Sequence, residues 1–395
     1  MSALGAALLW AAAPIATFAA ETWLEIRGTD FRLVGHSSPD RLRNVACDLE
    51  RVAHALRPMR PALTPFTTPV VIAAAGERDL RELLPQFWER RGARPVGAYW
   101  AGAFGHHVAI RVDVPPRERL RRILHEYAHF VTHVAGTEPP PWLDEGLSEL
   151  WTHAVIGEGR IVLGRPVKLH LGVLRSDARW IPVRELTSAP ALPAPQNRKR
   201  VESFYAESWA LAHYLVVGQA RGLRSPGDLV AALMPTDDEL RAYIRSGRLS
   251  SLEIPSPAAP PACGGGAARQ LPESESITLR SMAMVDGGHA AAAMPPLLGV
   301  LGREPGNTTA LEALGLAYFL GNQPEKAAST FERMISAGAA SHVSYYYRAV
   351  LAADLPRRAD GSGVIPVAEY LTRAIQLAPD FKPARERLRE LQARP

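Results

Sequence analysis

The chain has 395 residues, a formal net charge of +5, and 47% hydrophobic and 22% charged residues. This length exceeds one average domain, and the composition excludes wholesale disorder. No run of 18 apolar residues follows the first 20 positions, which excludes a polytopic membrane protein. Two cysteines exclude a disulfide scaffold and a cysteine-rich zinc module, and they leave open whether Cys47 and Cys263 pair.

The positive charge is carried almost wholly by arginine, since only four of the 45 basic residues are lysines. The basic clusters at 117–122 and 198–200 are short, and no aromatic residues lie among them. Proteins that bind single-stranded nucleic acid place aromatic residues between basic ones. We therefore expect no nucleic-acid partner.

The N-terminal residues 1–20 have the character of a signal peptide or an N-terminal anchor. Residues 3–20 are apolar, small residues stand near their end, and the charged Glu21 follows. This resembles the apolar region and cleavage site of a secretory signal. No Lys or Arg precedes Arg27, which departs from the positively charged start of a secretory signal. Membrane anchoring through residues 3–20 and a buried first helix are the alternatives. The signal and the anchor both predict an exported protein, periplasmic or membrane-anchored.

From residue 22 onward, the hydrophobic pattern alternates between strand and helix periods. Strands are predicted at 22–34 (a strand or hairpin), 69–75, and 97–113 (two strands). Helices are predicted at 39–57, 77–84, 116–136, 142–153, 203–219, and as two short helices within 226–247. Residues 251–273 are rich in Pro, Ala and Gly and are interpreted as an interdomain linker. The pattern thus predicts one α+β domain over 21–250.

The stretch His125-Glu126-Tyr127-Ala128-His129 is an H-E-x-x-H pattern inside the predicted helix 116–136. Residues four apart lie on one helix face, about 6 Å apart along the axis, so both imidazoles can reach one zinc ion. Glu126 then faces the metal-bound water and can act as general base and then general acid. His133 continues this face, but it lies about 12 Å along the axis from His125, too far to share the metal.

The next predicted helix opens with Trp142-Leu143-Asp144-Glu145-Gly146-Leu147-Ser148-Glu149. Together with H-E-x-x-H it resembles the gluzincin (peptidase MA-like) metallopeptidases, which include thermolysin and aminopeptidase N. The resemblance implies a zincin-like α+β domain with a mixed sheet. It implies that Glu145 is the third zinc ligand and that Glu149 hydrogen-bonds and orients a ligand histidine. Only 15 residues separate His129 from Glu145, fewer than is usual in the group, so Glu149 stays open as the ligand. Asp144 is a weaker candidate.

Segment 204–215 matches a further feature of the aminopeptidase N group, a tyrosine that donates a hydrogen bond to the oxyanion. The resemblance assigns this role to Tyr205, with His213 and Tyr214 as alternatives. In this fold an edge strand near the zinc receives the substrate backbone, and 106–113 is the candidate for it. A segment of the G-x-M-E-N type, which would hold a free amine, is missing from the sequence, and this favours endopeptidase action.

Residues 274–395 read as helix pairs rich in Ala and Leu. The stretch 311–334, with Gly315 and Phe331, resembles the tetratricopeptide repeat. A second unit over 342–379 carries an insertion at 356–363, a weaker unit precedes both, and 381–394 would be a capping helix. The resemblance implies an all-α repeat domain that binds a protein partner or substrate. An unrelated bundle of α-hairpins is the alternative.

These observations together predict a zinc-dependent peptidase with one zinc ion per chain. It would hydrolyse peptide or protein substrates by attack of a zinc-bound water. The expected metal ligands are His125, His129 and Glu145, and the expected catalytic residues are Glu126 and Tyr205. The alternative is a protein-interaction scaffold in which the zinc domain is catalytically idle and the repeats hold a partner.

Overall fold

The computed structural model describes residues 22–393 apart from 90–93, 135–137, 158, 177–179, 195–196, 220–227, 230–233, 257–262, 264–265 and 359. The chain divides into two units, one spanning Thr22–Leu271 and the other beginning at Pro272. The predicted signal or anchor in residues 1–20 lies outside the described residues. None of the helices in the described part combines the length and apolar character needed to cross a bilayer.

The first unit contains a six-stranded mixed sheet and several helices, which confirms the predicted α+β class with a mixed sheet. The strands of this sheet are β1 (Leu24–Arg27), β2 (Arg32–Gly35), β3 (Val70–Ala74), β4 (Gly97–Gly102), β5 (Gly105–Arg111) and β9 (Arg269–Gln270). Their order across the sheet is β4-β5-β3-β2-β1-β9. Strands β2, β3 and β5 run parallel, whereas β1, β4 and β9 are antiparallel to their neighbours. A second sheet has the order β6-β7-β8, with β6 (Val155–Gly157), β7 (Arg160–Leu163) and β8 (Leu252–Pro255).

The edge strand at this end of the large sheet is β4. Strand β5 lies inside the sheet, with Val108 opposite Tyr99 on one side and His107 opposite Val70 on the other. The prediction that 106–113 forms the edge strand is therefore wrong. Strand order follows from long-range pairing, which the periodicity of a single strand does not reveal.

The α-helices in the described part of the first unit are α1 (Pro39–Leu56), α2 (Glu77–Leu83), α3 (Gln86–Glu89), α4 (Pro116–Val134), α5 (Pro141–Thr152), α6 (Lys168–Leu174), α7 (Val183–Ser188), α8 (Arg198–His213) and α9 (Asp237–Arg245).

The described residues of the first unit form two hydrophobic cores. One core combines residues of the large sheet with α1 and α4, and it includes Tyr127 and Phe130 of α4. The other is helical and includes Trp142 of α5 and Trp209 of α8. Helices α4 and α5 pack against each other, so the two cores meet there.

The segment predicted as a linker, 251–273, largely belongs to the first unit. It contributes β8 and β9, and the boundary between the units falls after Leu271. Strand β9 pairs with β1, and the Arg269 guanidinium donates to the buried Glu25 carboxylate at 2.9 and 2.8 Å. Strands of two to four residues in Pro- and Gly-rich sequence carry almost no periodic signal, which is why the pattern misses them.

A disulfide joins Cys47 of α1 to Cys263, across a sequence separation of 216 residues. Because such a bond restricts the unfolded chain, we predict that C47S/C263S lowers the free energy of unfolding by about 2–5 kcal/mol. Denaturant unfolding of the wild type and the variant measures this difference. Wild type with a thiol reductant is the control and should unfold at the midpoint of the variant. Three equal midpoints would contradict the prediction.

The described part of the second unit contains the helices α10 (Glu273–Asp286), α11 (Ala290–Arg303), α12 (Thr308–Leu320), α13 (Pro324–Ser336), α14 (His342–Leu351), α15 (Val367–Leu377) and α16 (Lys382–Gln392). Each helix packs against the next, and α12 also contacts α10 and α14. Helices α12 and α13 approach closely at Gly315, where a Cβ atom would lie 2.7 Å from the Phe331 ring.

The insertion at 356–363 is attached to the helices by Arg348, a fully buried side chain of α14. Its Nε donates to Glu332 at 2.7 Å. Its two terminal nitrogens donate to the carbonyl oxygens of Leu355 at 3.0 Å and Arg357 at 2.6 Å. One buried guanidinium therefore satisfies a carboxylate and two loop carbonyls.

We predict that Arg348→Met lowers the free energy of unfolding by about 2–4 kcal/mol, because it leaves these three acceptors without their donor. Denaturant unfolding of the full chain measures the change. Arg333→Met, at an exposed arginine of α13, is the matched control and should cost less than about 0.5 kcal/mol. Equal losses of unfolding free energy in the two variants would show that the buried guanidinium contributes no more stability than an exposed one.

Candidate metal centre

Helix α4 carries the two histidines of the H-E-x-x-H pattern one turn apart. Its residues Ile123, Tyr127 and Phe130 are buried in the sheet-side core, which fixes the rotation of the helix. Both His125 and His129 are buried, and their Nε2 atoms lie 3.2 Å apart. The two imidazoles thus converge on one point.

Helix α5 brings Glu145 to the same point. Its Oε2 atom lies 3.5 Å from His125 Nε2 and 3.6 Å from His129 Nε2. We call these three atoms the donor triangle. Donors bound tetrahedrally to zinc at about 2.0–2.1 Å are separated by about 3.3 Å. The triangle has the size that such an ion requires.

The Oε2 atom of Glu145 is buried and accepts no hydrogen bond from the described residues. Burial alone would raise the pKa of Glu145, but His129 and His125 outweigh burial and hold it well below its usual range. The carboxylate is therefore ionised. A buried charged oxygen that accepts no hydrogen bond is costly, and a cation in the donor triangle reduces that cost. The residues present therefore fit a metal ion such as zinc.

The register of α5 separates Glu145 from Glu149. Glu149 Oε1 lies 3.5 Å from His125 Nδ1, the nitrogen opposite the donor triangle. Thr152 Oγ1 lies 2.9 Å from the same nitrogen. Glu145 thus shares the donor triangle, whereas Glu149 and Thr152 stand behind the His125 ring and fix its orientation.

Asp144 is a site residue whose importance the sequence understates. Its Oδ1 atom lies 2.9 Å from His129 Nδ1, and its Oδ2 atom lies 3.1 Å from His133 Nε2. Burial disfavours a charge on His129, but Asp144 and Glu145 outweigh burial and raise the pKa of His129 well above its usual value. The local potential therefore favours positive charge. The sequence contains one signal for this contact. His133 follows His129 by the same four residues that separate His129 from His125, and Asp144 directly precedes Glu145.

Tyr205 reaches the donor triangle because α8 crosses α5 closely. At Gly146 a Cβ atom would lie 2.4 Å from the Ser208 carbonyl oxygen, so only glycine allows this approach. The Tyr205 hydroxyl donates to Glu145 Oε1 at 3.2 Å. Burial, with Glu145 and Glu126, raises the pKa of Tyr205 well above its usual value. The phenol keeps its proton and can donate a hydrogen bond.

The two alternatives to Tyr205 lie elsewhere in the helical core. His213 is fully buried, with its Nε2 atom 2.7 Å from the Gly164 carbonyl and its Nδ1 atom 2.8 Å from the Tyr243 hydroxyl. The Tyr214 ring packs on Tyr243, with the ring centres 5.2 Å apart. Both side chains make contacts within this core, whereas Tyr205 contacts the carboxylate of Glu145.

Glu126 lies beside the donor triangle, with its carboxylate within 4.8 Å of donor atoms of both His125 and His129. Arg122, which the sequence analysis did not anticipate, places its Nη1 atom 3.4 Å from Glu126 Oε1. The aliphatic part of the Arg122 side chain packs closely on Gly97 of β4. A Cβ atom added to Gly97 would lie 2.6 Å from Arg122 Cγ. Arg122 therefore lies between the candidate base and the edge strand β4.

Comparisons with protein-family models, curated proteins and solved structures found no match to this chain. Its function is therefore inferred from the donor triangle and the groups around it.

We predict that Glu145→Gln reduces zinc affinity far more than Glu149→Gln does. The first change removes a charged donor of the donor triangle, whereas the second leaves all three of its donor atoms in place, weakens the orientation of His125 and should cost about 10–100-fold in affinity at this site. Competition with a chromogenic chelator measures both affinities, and the two variants form a matched pair. Normal zinc binding by Glu145→Gln, together with its loss in Glu149→Gln, would reverse the assignment of the ligand.

Proposed function

We propose that the chain is a zinc-dependent peptidase of the gluzincin type. The observation that carries this proposal is the donor triangle of His125, His129 and Glu145, with Glu126 beside it. Three protein donors leave one tetrahedral position open, the pattern of catalytic rather than structural zinc. When bound there, zinc would act as a Lewis acid toward the scissile carbonyl and lower the pKa of a water molecule.

The residues of the chain have separate roles in this reaction. Glu126 takes the proton of the attacking water and delivers it to the leaving amine. Tyr205 donates a hydrogen bond to the oxyanion that forms when the carbonyl is attacked. Asp144 and Thr152 hold the two ligand histidines from behind, so that each ring presents its Nε2 atom.

The substrate backbone would add to the outer edge of β4, which pairs with no further strand among the described residues. Tyr99 of this strand stacks on the His129 ring, with centres 6.3 Å apart and an angle of 11° between the planes. A peptide paired with β4 would thus pass beside the donor triangle. Backbone pairing along a strand edge suits an extended segment within a longer chain, which supports endopeptidase action on peptides or proteins.

The second unit would serve as a tetratricopeptide-like platform for a protein partner or substrate. The serial packing of its helices and the close approach at Gly315 support this reading. The disulfide between Cys47 and Cys263 supports export to an oxidising compartment, with residues 1–20 as signal or anchor.

Glu126→Gln tests the mechanism. We predict that kcat/KM falls by about 10²–10⁴-fold because the proton acceptor is lost, while zinc content stays that of the wild type. Cleavage of an unfolded protein such as casein, with and without a zinc chelator, measures activity. Glu118→Gln, at an exposed glutamate of the same helix, is the control and should keep full activity.

The outcome distinguishes the proposed mechanism from an idle scaffold. Hydrolysis retained by Glu126→Gln would overturn the proposed mechanism. A wild-type chain that holds zinc and cleaves no peptide substrate, but captures a partner equally well with Glu126→Gln, would favour the idle scaffold.

A further inference from the structure

A second group of metal-ligating side chains lies at the end of α5 and the start of α6. Glu149 Oε2 lies 2.9 Å from His170 Nε2 and 3.8 Å from His153 Nε2. One donor atom from each of the three residues lies within 4.8 Å of the others. We call this group the rear cluster.

The rear cluster is distinct from the donor triangle. Glu149 turns its other oxygen, Oε1, toward His125 Nδ1 at 3.5 Å. That nitrogen is on the opposite side of the ring from the Nε2 atom in the donor triangle. The His125 ring therefore separates the two groups, and neither histidine of the rear cluster belongs to the H-E-x-x-H pattern.

The three side chains of the rear cluster come from the ends of two helices, α5 and α6. Glu149 and His153 are four residues apart, so they project from neighbouring turns at the end of α5. His170 comes from α6, its side chain is only 9% exposed, and its ring packs on Trp209 with centres 5.5 Å apart. The end of α5 and the start of α6 thus bring two imidazoles near one carboxylate oxygen.

His153 approaches Glu149 without a hydrogen bond. Its Nε2 atom lies 3.8 Å from the carboxylate oxygen, beyond hydrogen-bond distance. The His153 side chain is 23% exposed, which gives an ion access from solvent.

We propose that Glu149, His153 and His170 form a second site for a divalent transition metal ion of the zinc class. Two imidazoles and one carboxylate are a donor set that suits zinc, with water in the fourth position. The donor distances are less even than in the donor triangle, so the side chains must shift on binding. This site therefore binds more weakly than the first. The proposal does not depend on peptidase activity.

Zinc stoichiometry tests this proposal on the full chain without an affinity tag. Equilibrium dialysis at rising free zinc, followed by elemental analysis, should give two steps in the wild type, to one and then two ions per chain. His153→Asn and His170→Gln should each lose the second step and keep the first. His36→Gln is the matched control, because His36 also pairs with a carboxylate, Asp79, at 2.8 Å, but belongs to no such cluster among the described residues. It should keep both steps.

The His129→Ala variant distinguishes zinc binding at the rear cluster from zinc binding at the donor triangle. In His129→Ala the tight step should disappear while the weaker one remains, and adding His153→Asn should remove that one too. A wild type that stops at one zinc ion would overturn the proposal. So would a second ion that survives His153→Asn. Circular dichroism checks folding, and His153→Asn, at a partly exposed helix end, keeps the test valid if His170→Gln does not fold.

Discussion

The cost of burying the Glu145 carboxylate is the constraint on which the site depends. A buried ionised carboxylate costs several kcal/mol unless charges and donors surround it. His125 and His129 supply imidazoles from one helix, and Tyr205 supplies a hydroxyl from another. One oxygen still lacks a hydrogen bond from the described residues. A group of side chains that satisfied one another fully would have no need of an ion, whereas this arrangement favours a cation.

This constraint also determines how the helices must pack. Helix α5 has to touch α4 on one side and α8 on the other while carrying its carboxylate between them. Gly146 permits this, since the Ser208 carbonyl occupies the space that a side chain would need. The glycine of the W-L-D-E-G segment is thus explained by packing, and it brings Tyr205 to Glu145. The position of Tyr205 beside Glu145 and the packing of the helical core depend on the same contact between Gly146 and Ser208.

The sequence predicts local features well and tertiary ones poorly. Helical periodicity alone places His125 and His129 on one face, because their spacing depends only on the pitch of one helix. The choice of Glu145 over Glu149 needed a family resemblance, since it depends on the rotation of α5 against α4. The contacts of Asp144 escaped prediction for the same reason. The order of β4 and β5, and the short strands within the supposed linker, depend on pairing between distant segments.

The covalent loop closed by Cys47 and Cys263 contains α4, α5 and α8. One cut in the backbone anywhere inside this loop leaves the two pieces joined through sulfur. The helices that carry His125, Glu145 and Tyr205 would then remain parts of one molecule. A chain with this link tolerates one nick by a protease, because the two fragments stay covalently joined until the disulfide is reduced.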